Sequence, residues 1–339
     1  MMRNTAVALW VLIGAISSSG QTLVLPTTND AFLRGTPAAF YQYVDRNFEG
    51  QTSSPWEGGQ FGFVRNPARV GGGLLYTRFH EGLDIKPVSR GSNGDPLDEV
   101  RAMAAGQVVH ASETSSHSNY GRYVVVRHDW KEGPFYSLYA HLKTLQVSRG
   151  QRVQAGESLG LMGYTGVGID QRRAHVHVEL NLFLSSRFEA WHDAHFNTPN
   201  HHGVYNGLNL IGLDLAELFL SQKKRSSISA ADIVKKTEAY FTVAVPGHSA
   251  LEIGKNYAWL REGVSLGRPA SWEVTFSRWG LPLKIKPTSR EVTSPVVVSV
   301  AKSSVPHSYN TRGLLSGSGS SAALTDSGLR FVNLVAGLH

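Results

Sequence analysis

Two strand-length runs lie side by side in the middle of this chain: residues 122–128 (RYVVVRH) and 135–141 (FYSLYAH), around Lys131-Glu132-Gly133-Pro134. β-branched and aromatic residues dominate both runs, and a turn of this kind between them predicts an antiparallel hairpin. Further on, Gly150, Gly156, Gly160 and Gly163 punctuate short strand-like pieces. Such spacing suits a compact sandwich or barrel. From about Val70 to Leu184 the pattern is β throughout, so the fold class is mainly β.

The flanks read differently. Arg3, an apolar run over 6–16 and the small residues Ser17-Ser18-Ser19-Gly20 have the layout of a secretory signal peptide. The run is too short to span a bilayer. The expectation is a mature protein that is secreted or periplasmic, with no integral membrane span. Residues 21–69, rich in Gly, Pro and aromatics, predict an irregular segment packed on the core. Residues 188–212 form a His- and Asn-rich connector. Residues 213–339 predict a smaller α+β appendage, with an amphipathic helix over 213–223, strand-like runs at 241–245, 271–279 and 295–300, and a flexible loop at 316–321 (SGSGSS).

The chain has no cysteine. That excludes disulfides and the thiol that a bacterial lipoprotein anchor needs, and leaves His and Asp to ligate any metal. Charge is uneven. Residues 1–206 carry 18 Lys+Arg against 17 Asp+Glu, and residues 207–339 carry 15 against 9. Without Arg3 the first part is neutral (17 against 17), so an excess of 15 − 9 = 6 positive charges lies in the appendage. A basic appendage suits an anionic polymer or surface, or is an ordinary solvated face. No nucleic-acid motif is present, and the cluster Lys223-Lys224-Arg225 lacks interleaved aromatics.

Five residues carry the chemistry. His80 and Asp84 stand four apart; in a straight strand they would be ~13 Å apart, so closing on one ion needs a bend, which Gly82 permits. His175 and His177 stand two apart on a predicted strand and share one face, with Glu179 on that face as a partner able to orient a ligand. His141 ends the run YAHL. Each motif alone is common in proteins without metal. Together they supply a three-ligand set with two spare imidazoles, the pattern of a hydrolytic zinc site that leaves a position open for water. Spacing does not say which histidine of HVH binds metal.

The combination, in this order, resembles the lysostaphin-like (LytM-type) zinc endopeptidases that cut peptidoglycan peptides. The matching blocks are H-x-G-x-D at His80 to Asp84, Y-G-x-x-V-V-V-x-H at Tyr120 to His128 and Y-A-H-L at Tyr139 to Leu142. They continue with G-Q-x-V-x-x-G at Gly150 to Gly156, G-x-T-G at Gly163 to Gly166 and H-x-H-x-E at His175 to Glu179. About one third of the chain is covered. The resemblance implies a lysostaphin-like antiparallel β core over 70–187, one Zn2+ per chain on His80, Asp84 and His177, and His141 and His175 as the unligated catalytic pair. Zinc would then activate water and polarise the scissile carbonyl, assisted by the two histidines. The implied substrate is a peptidoglycan stem peptide or cross-bridge. A non-catalytic wall-binding or activator module of the same fold is the alternative; intact ligand positions favour activity.

The chain departs from the family pattern in places. Arg173-Ala174 stand where Gly-Pro is usual, after a longer loop with Asp170-Gln171-Arg172, and residues 85–100 form a long segment bearing Asp95, Asp98 and Glu99. These changes are expected on the groove walls, where they bear on substrate preference. Tyr76 is a candidate oxyanion donor, though packing is the simpler role. His192, His195, His201 and His202 are read as a His-rich loop rather than a second metal site or a wall of the groove.

Overall fold

The computed structural model describes residues 21–247, 251–263 and 267–338. The expected signal peptide, residues 1–20, lies outside the described residues.

Strands β1 (Arg46–Phe48) and β2 (Gln51–Ser53) form a small hairpin, and β3 (Gly62–Val70) and β4 (Gly73–His80) a long one. There follow β5 (Leu83–Ile85), β6 (Glu99–Arg101), β7 (Gly106–Ser112), β8 (Tyr123–Trp130), β9 (Gly133–Ala140), β10 (Leu142–Leu145), β11 (Arg152–Val153), β12 (Ser158–Met162) and β13 (Val176–Phe183). Helix α1 (Phe188–His195) and β14 (Leu210–Gly212) come next. The main sheet runs β11-β7-β8-β9-β13-β14, with β5 also on β13, and a second sheet runs β10-β12-β6. All their pairings are antiparallel. The expected hairpin is β8–β9, with Val124 opposite Tyr139 and Val126 opposite Ser137. The chain is mainly β, as its sequence pattern predicts.

β13 holds the sheet together. Every residue from Val176 to Phe183 is buried. Val176, Val178, Leu180 and Leu182 point into the main apolar core, each burial stabilising by roughly 1.5–3 kcal/mol. Alternation then sends His177, Glu179 and Asn181 to the other face. A one-residue slip would exchange the two sets, so the apolar face locks the register that places the histidine.

The C-terminal part contains α2 (Leu215–Lys224), α3 (Ala230–Lys236), β15 (Phe241–Pro246), α4 (Glu252–Asn256), β16 (Ser271–Phe276), β17 (Pro282–Thr288) and β18 (Val296–Val300). It ends with α5 (His307–Asn310), β19 (Leu315–Ser318), β20 (Ser321–Leu324) and α6 (Asp326–Ala336). Its sheet is ordered β17-β16-β15-β18. Helix starts are capped as composition suggests: Asp214 accepts from Glu217 N, and Ser229 with Asp232 forms a capping box. One apolar core runs from Leu23 through the main sheet to Val335. The C-terminal part also grips the main sheet by hydrogen bonds. Tyr257 donates to Pro134 O (2.6 Å) and accepts from Phe183 N (2.9 Å), while Trp259 donates to Glu132 O (2.7 Å).

Three expectations need correction. Residues 62–70 are a strand, not irregular chain, so a cut at 69/70 falls inside the β3–β4 hairpin. Gly71 and Gly72, both at positive φ, make its turn; the register shifts by one residue between Phe63 and Arg65, and Asn66 stands at positive φ before Pro67. Residues 210–212, expected in the connector, extend the main sheet beside β13. Residues 316–321 are a hairpin turn rather than a flexible loop: Ser318 pairs with Ser321, with Gly319 at φ +65° in the bend.

Candidate functional site

β4 ends at His80, and β5 carries Asp84 two residues after the turn through Glu81 and Gly82. Gly82 is there because no side chain fits: a Cβ would lie 2.4 Å from Val178 O and 2.9 Å from Glu179 Cγ. With that turn made, antiparallel pairing of β5 with β13 sets Asp84 directly opposite His177. The outcome is close convergence. Asp84 Oδ1 lies 3.1 Å from His80 Nε2 and 2.9 Å from His177 Nδ1, and those two nitrogens are 3.0 Å apart. Among the described residues this trio alone brings three ligand-type atoms together.

β9 delivers His141 immediately after Ala140, which lies opposite His177. Its backbone is in the left-handed region at φ +64°, uncommon for a residue with a side chain and costing on the order of 1 kcal/mol. Two bonds hold it there: His141 N donates to Tyr120 O (2.9 Å), and Nδ1 donates to Thr165 O (2.8 Å). His175 Nδ1 donates to Arg173 O (2.7 Å), and the rings of His141 and His175 meet edge-on at 4.7 Å. His175 Nε2 is 3.4 Å from Asp84 Oδ1. All five residues predicted from sequence thus stand together at one groove of ≈ 1440 Å³.

The proton bookkeeping around the trio is restrictive. His80 Nδ1 faces Gln60 O at 2.8 Å, and a carbonyl only accepts, so Nδ1 bears the proton and Nε2 presents a lone pair. His177 Nε2 faces Glu179 Oε1 at 2.8 Å, which places a proton there as well. Its Nδ1 then meets two acceptors, His80 Nε2 and Asp84 Oδ1. Only a cation fits between them, either a proton on His177 Nδ1 or a metal ion. Two imidazoles and a carboxylate, each oriented by an outer hydrogen bond, are the donor chemistry that zinc takes.

The charges agree. Burial opposes ionisation of Asp84, but His80, His175 and Arg65 outweigh it and hold the carboxyl well below its usual range. Burial also works against a charged His177, yet hydrogen bonds to Asp84 and Glu179 push it up to about 10 in the metal-free protein. Burial, with His175 and His177 nearby, holds His141 well below the ordinary imidazole range, so it is neutral at pH 7.

Several contributors had no signal in the sequence. Arg65 donates to Asp84 Oδ2 (2.5 Å) while its Nε is held by Gly58 O (2.8 Å). Gln60 and Thr165 act through backbone oxygens, which any residue has. Glu179, legible from its strand face, does contact His177; it also accepts from Tyr120 Oη (2.7 Å) and Asn181 Nδ2 (3.0 Å).

Of the departures expected on the groove walls, Arg173 lines the groove. Asp95, Asp98 and Glu99 do not. They tie down their own loop, Asp95 by Lys143, Tyr164 and Gln171, Asp98 by the backbone of Val88 and Ser89, and Glu99 by Arg101. The Tyr76 hydroxyl accepts from Arg46 (3.1 Å) in the long hairpin and is not a groove residue. The connector histidines are not simply a loop: His192 and His195 lie in α1, and His192 and His202 line the groove. His202 packs with His110 (3.3 Å), His201 stacks on His117 (3.9 Å), His192 on Phe196, and His195 packs against Trp191.

A central buried strand, two imidazoles and a carboxylate converging on a cation position, and two further histidines beside them make up a candidate metal site on an antiparallel β domain. The chain carries a domain of Peptidase family M23, whose family model matches residues 78–187. Among curated proteins it is 34% identical over 129 residues to the lipoprotein NlpD/LppB homolog of Pseudomonas aeruginosa, covering 34% of this chain and 38% of that one. It is 33% identical over 87 residues to outer membrane antigenic lipoprotein B of Haemophilus influenzae, covering 26% and 18%. The matched region therefore spans well under half the length of these relatives. Among solved structures, the catalytic domain of lysostaphin from Staphylococcus simulans aligns over 35% of this chain and 76% of that one, at 24% identity and a TM-score of 0.25.

Proposed function

We propose that this protein is a secreted or periplasmic zinc endopeptidase that hydrolyses peptide bonds in peptidoglycan stem peptides or cross-bridges. One observation carries the reading: lone pairs of His80, Asp84 and His177 converge where only a cation fits, beside two imidazoles tied by their Nδ1 protons to backbone carbonyls. The M23 match and the envelope names of the relatives support the polymer and the compartment.

In this reading His80 Nε2, His177 Nδ1 and Asp84 Oδ1 hold one zinc ion. Bound there, zinc supplies Lewis acidity towards water and the scissile carbonyl. His141, neutral at pH 7 and with Nδ1 fixed on Thr165 O, has Nε2 left to accept a proton in the groove. His175, fixed in the same way on Arg173 O, is its counterpart for stabilising developing negative charge or protonating the leaving amine. Arg65 occupies Asp84 Oδ2 and so leaves Oδ1 for the metal. The excess of basic residues after residue 206 suits an anionic wall polymer as a secondary contact.

The test is purified peptidoglycan incubated with zinc-loaded protein, chelated protein and His141→Ala, followed by turbidity and by assay of new amine termini. Chelator-sensitive release of amines, lost in the variant, is the expected result. A second reading, a non-catalytic wall-binding or activator module, draws on the same network, since a proton on His177 satisfies the cluster without an ion. It predicts binding to peptidoglycan with no new amines.

A further inference from the structure

Six arginines line the groove (Arg46, Arg65, Arg78, Arg173, Arg312 and Arg330) against three carboxylates (Asp45, Glu81 and Asp84), so 6 − 3 leaves three positive charges in excess. The carboxylates are already engaged. Asp45 pairs with Arg172 (2.6 Å), Glu81 with Arg312 (2.7 Å) and Asp84 with Arg65 (2.5 Å). Among the described residues none of the other four forms an ion pair, although the charge of Arg173 is felt by Asp45. Arg46 donates to Tyr76 Oη and Arg330 to Ser327 Oγ, both uncharged partners.

Two of the arginines without an ion pair of their own line the groove close in sequence to the central histidines. Arg78 is two residues before His80 on β4 and so shares its face. It also sits directly opposite Arg65 in the long hairpin. Like charges in that position repel, and only Arg65 has a carboxylate to neutralise it. Arg78 is exposed, and among the described residues its side chain makes no hydrogen bond or ion pair. Arg173 is two residues before His175 and also lines the groove. Its Nη1 reaches Gly168 O (3.2 Å), and its Nε is buried without a partner.

We propose that Arg78 and Arg173 form a carboxylate-binding pair, so that the groove takes an anionic peptide with free carboxylates close to the bond that is cut. This rests on the peptidase reading above and names its substrate class. Arg173 stands where the family pattern has glycine, so this preference belongs to this chain in particular. A guanidinium with an unsatisfied donor at a groove wall is suited to a carboxylate, which it meets with short charge-assisted hydrogen bonds.

The test measures binding and cleavage on the same samples of zinc-loaded full chain. The probes are a stem tetrapeptide with free carboxylates and the same peptide with those carboxyls amidated. Calorimetry is expected to show the acidic peptide bound about tenfold more tightly. That ratio should fall towards one in Arg78→Gln/Arg173→Gln and be partly kept by Arg173→Lys. Arg78 has no partner to lose, so Arg78→Gln alone should lower the ratio even if the Arg173 variants fold poorly. Equal affinity for the two peptides in the unaltered protein, or an undiminished ratio in the double variant, overturns the pair. Discrimination in binding without any cleavage supports the pair and overturns the peptidase reading instead.

Discussion

Arg312 donates to Glu81 across 2.7 Å, joining the C-terminal part to the turn between the ligand candidates His80 and Asp84. Arg312 sits at φ +56° and its guanidinium lies 5.6 Å from the centre of the Phe79 ring. The pair is partly exposed (31% and 30%), so its stabilisation is at most about 1 kcal/mol. Arg312→Ala should therefore lower the melting temperature by only about 2–4 °C. Turnover should fall several-fold more than that loss accounts for, because the turn carrying His80 loses its outer anchor. Turnover unchanged in a folded variant would show that the C-terminal part does not position the site.

Glu179 is the outer partner of His177 and accepts three side-chain hydrogen bonds. Glu179→Gln keeps the shape and removes the charge. Zinc affinity should drop about 10–100-fold, measured by competition with a chromophoric chelator. An unchanged affinity would argue against His177 as a ligand.

Without metal, His177 is protonated at neutral pH, because Asp84 and Glu179 raise it to about 10 despite burial. Zinc held there would displace the Nδ1 proton. Near pH 7, binding should release about one proton, and affinity should weaken about tenfold for each unit that the pH falls. Calorimetry in buffers of different ionisation enthalpy reads the proton count directly, and a count of zero would sink this assignment.

His128, outside the groove, gives a pH effect of the opposite origin. Burial pushes it down to about 4; its Nδ1 donates to Ala105 O (2.9 Å) and its Nε2 accepts from Ser137 Oγ (2.7 Å). Unfolded, it titrates near 6.5. Above that pH both states are neutral and the stability is fully present. Between about 6.5 and 4 the unfolded chain gains the proton first, so stability falls by roughly 3 kcal/mol and then levels off. His128→Gln cannot titrate. Its denaturant-derived stability should decline less steeply over that window, and parallel curves would refute the assignment.

Much of the site was legible because each key residue sits in a local pattern. H-x-G-x-D, A-H-L and H-x-H are short, and strand alternation puts His177 and Glu179 on one face without any tertiary information. The hairpin β8–β9 was equally readable from its β-branched runs. Residues 62–70 were harder, since Gly62, Asn66 and Pro67 look like loop chain. They pair only because β4 lies alongside, with a register shift between Phe63 and Arg65 and Asn66 at positive φ.

What the sequence determined by itself was the set of donors and their order, together with the apolar alternation of β13 that fixes which face the histidines occupy. The tertiary structure decided which nitrogen faces which partner. His80 and His177 turn their lone pairs on Asp84 only because Gln60 O and Glu179 take the opposite protons, and Arg65 reaches Asp84 from a hairpin that local propensity did not foretell. Those orientations depend on backbone oxygens and long-range packing. Every residue carries a carbonyl, so its identity leaves no mark on the amino-acid sequence, and only the folded chain brings it to the ring it orients.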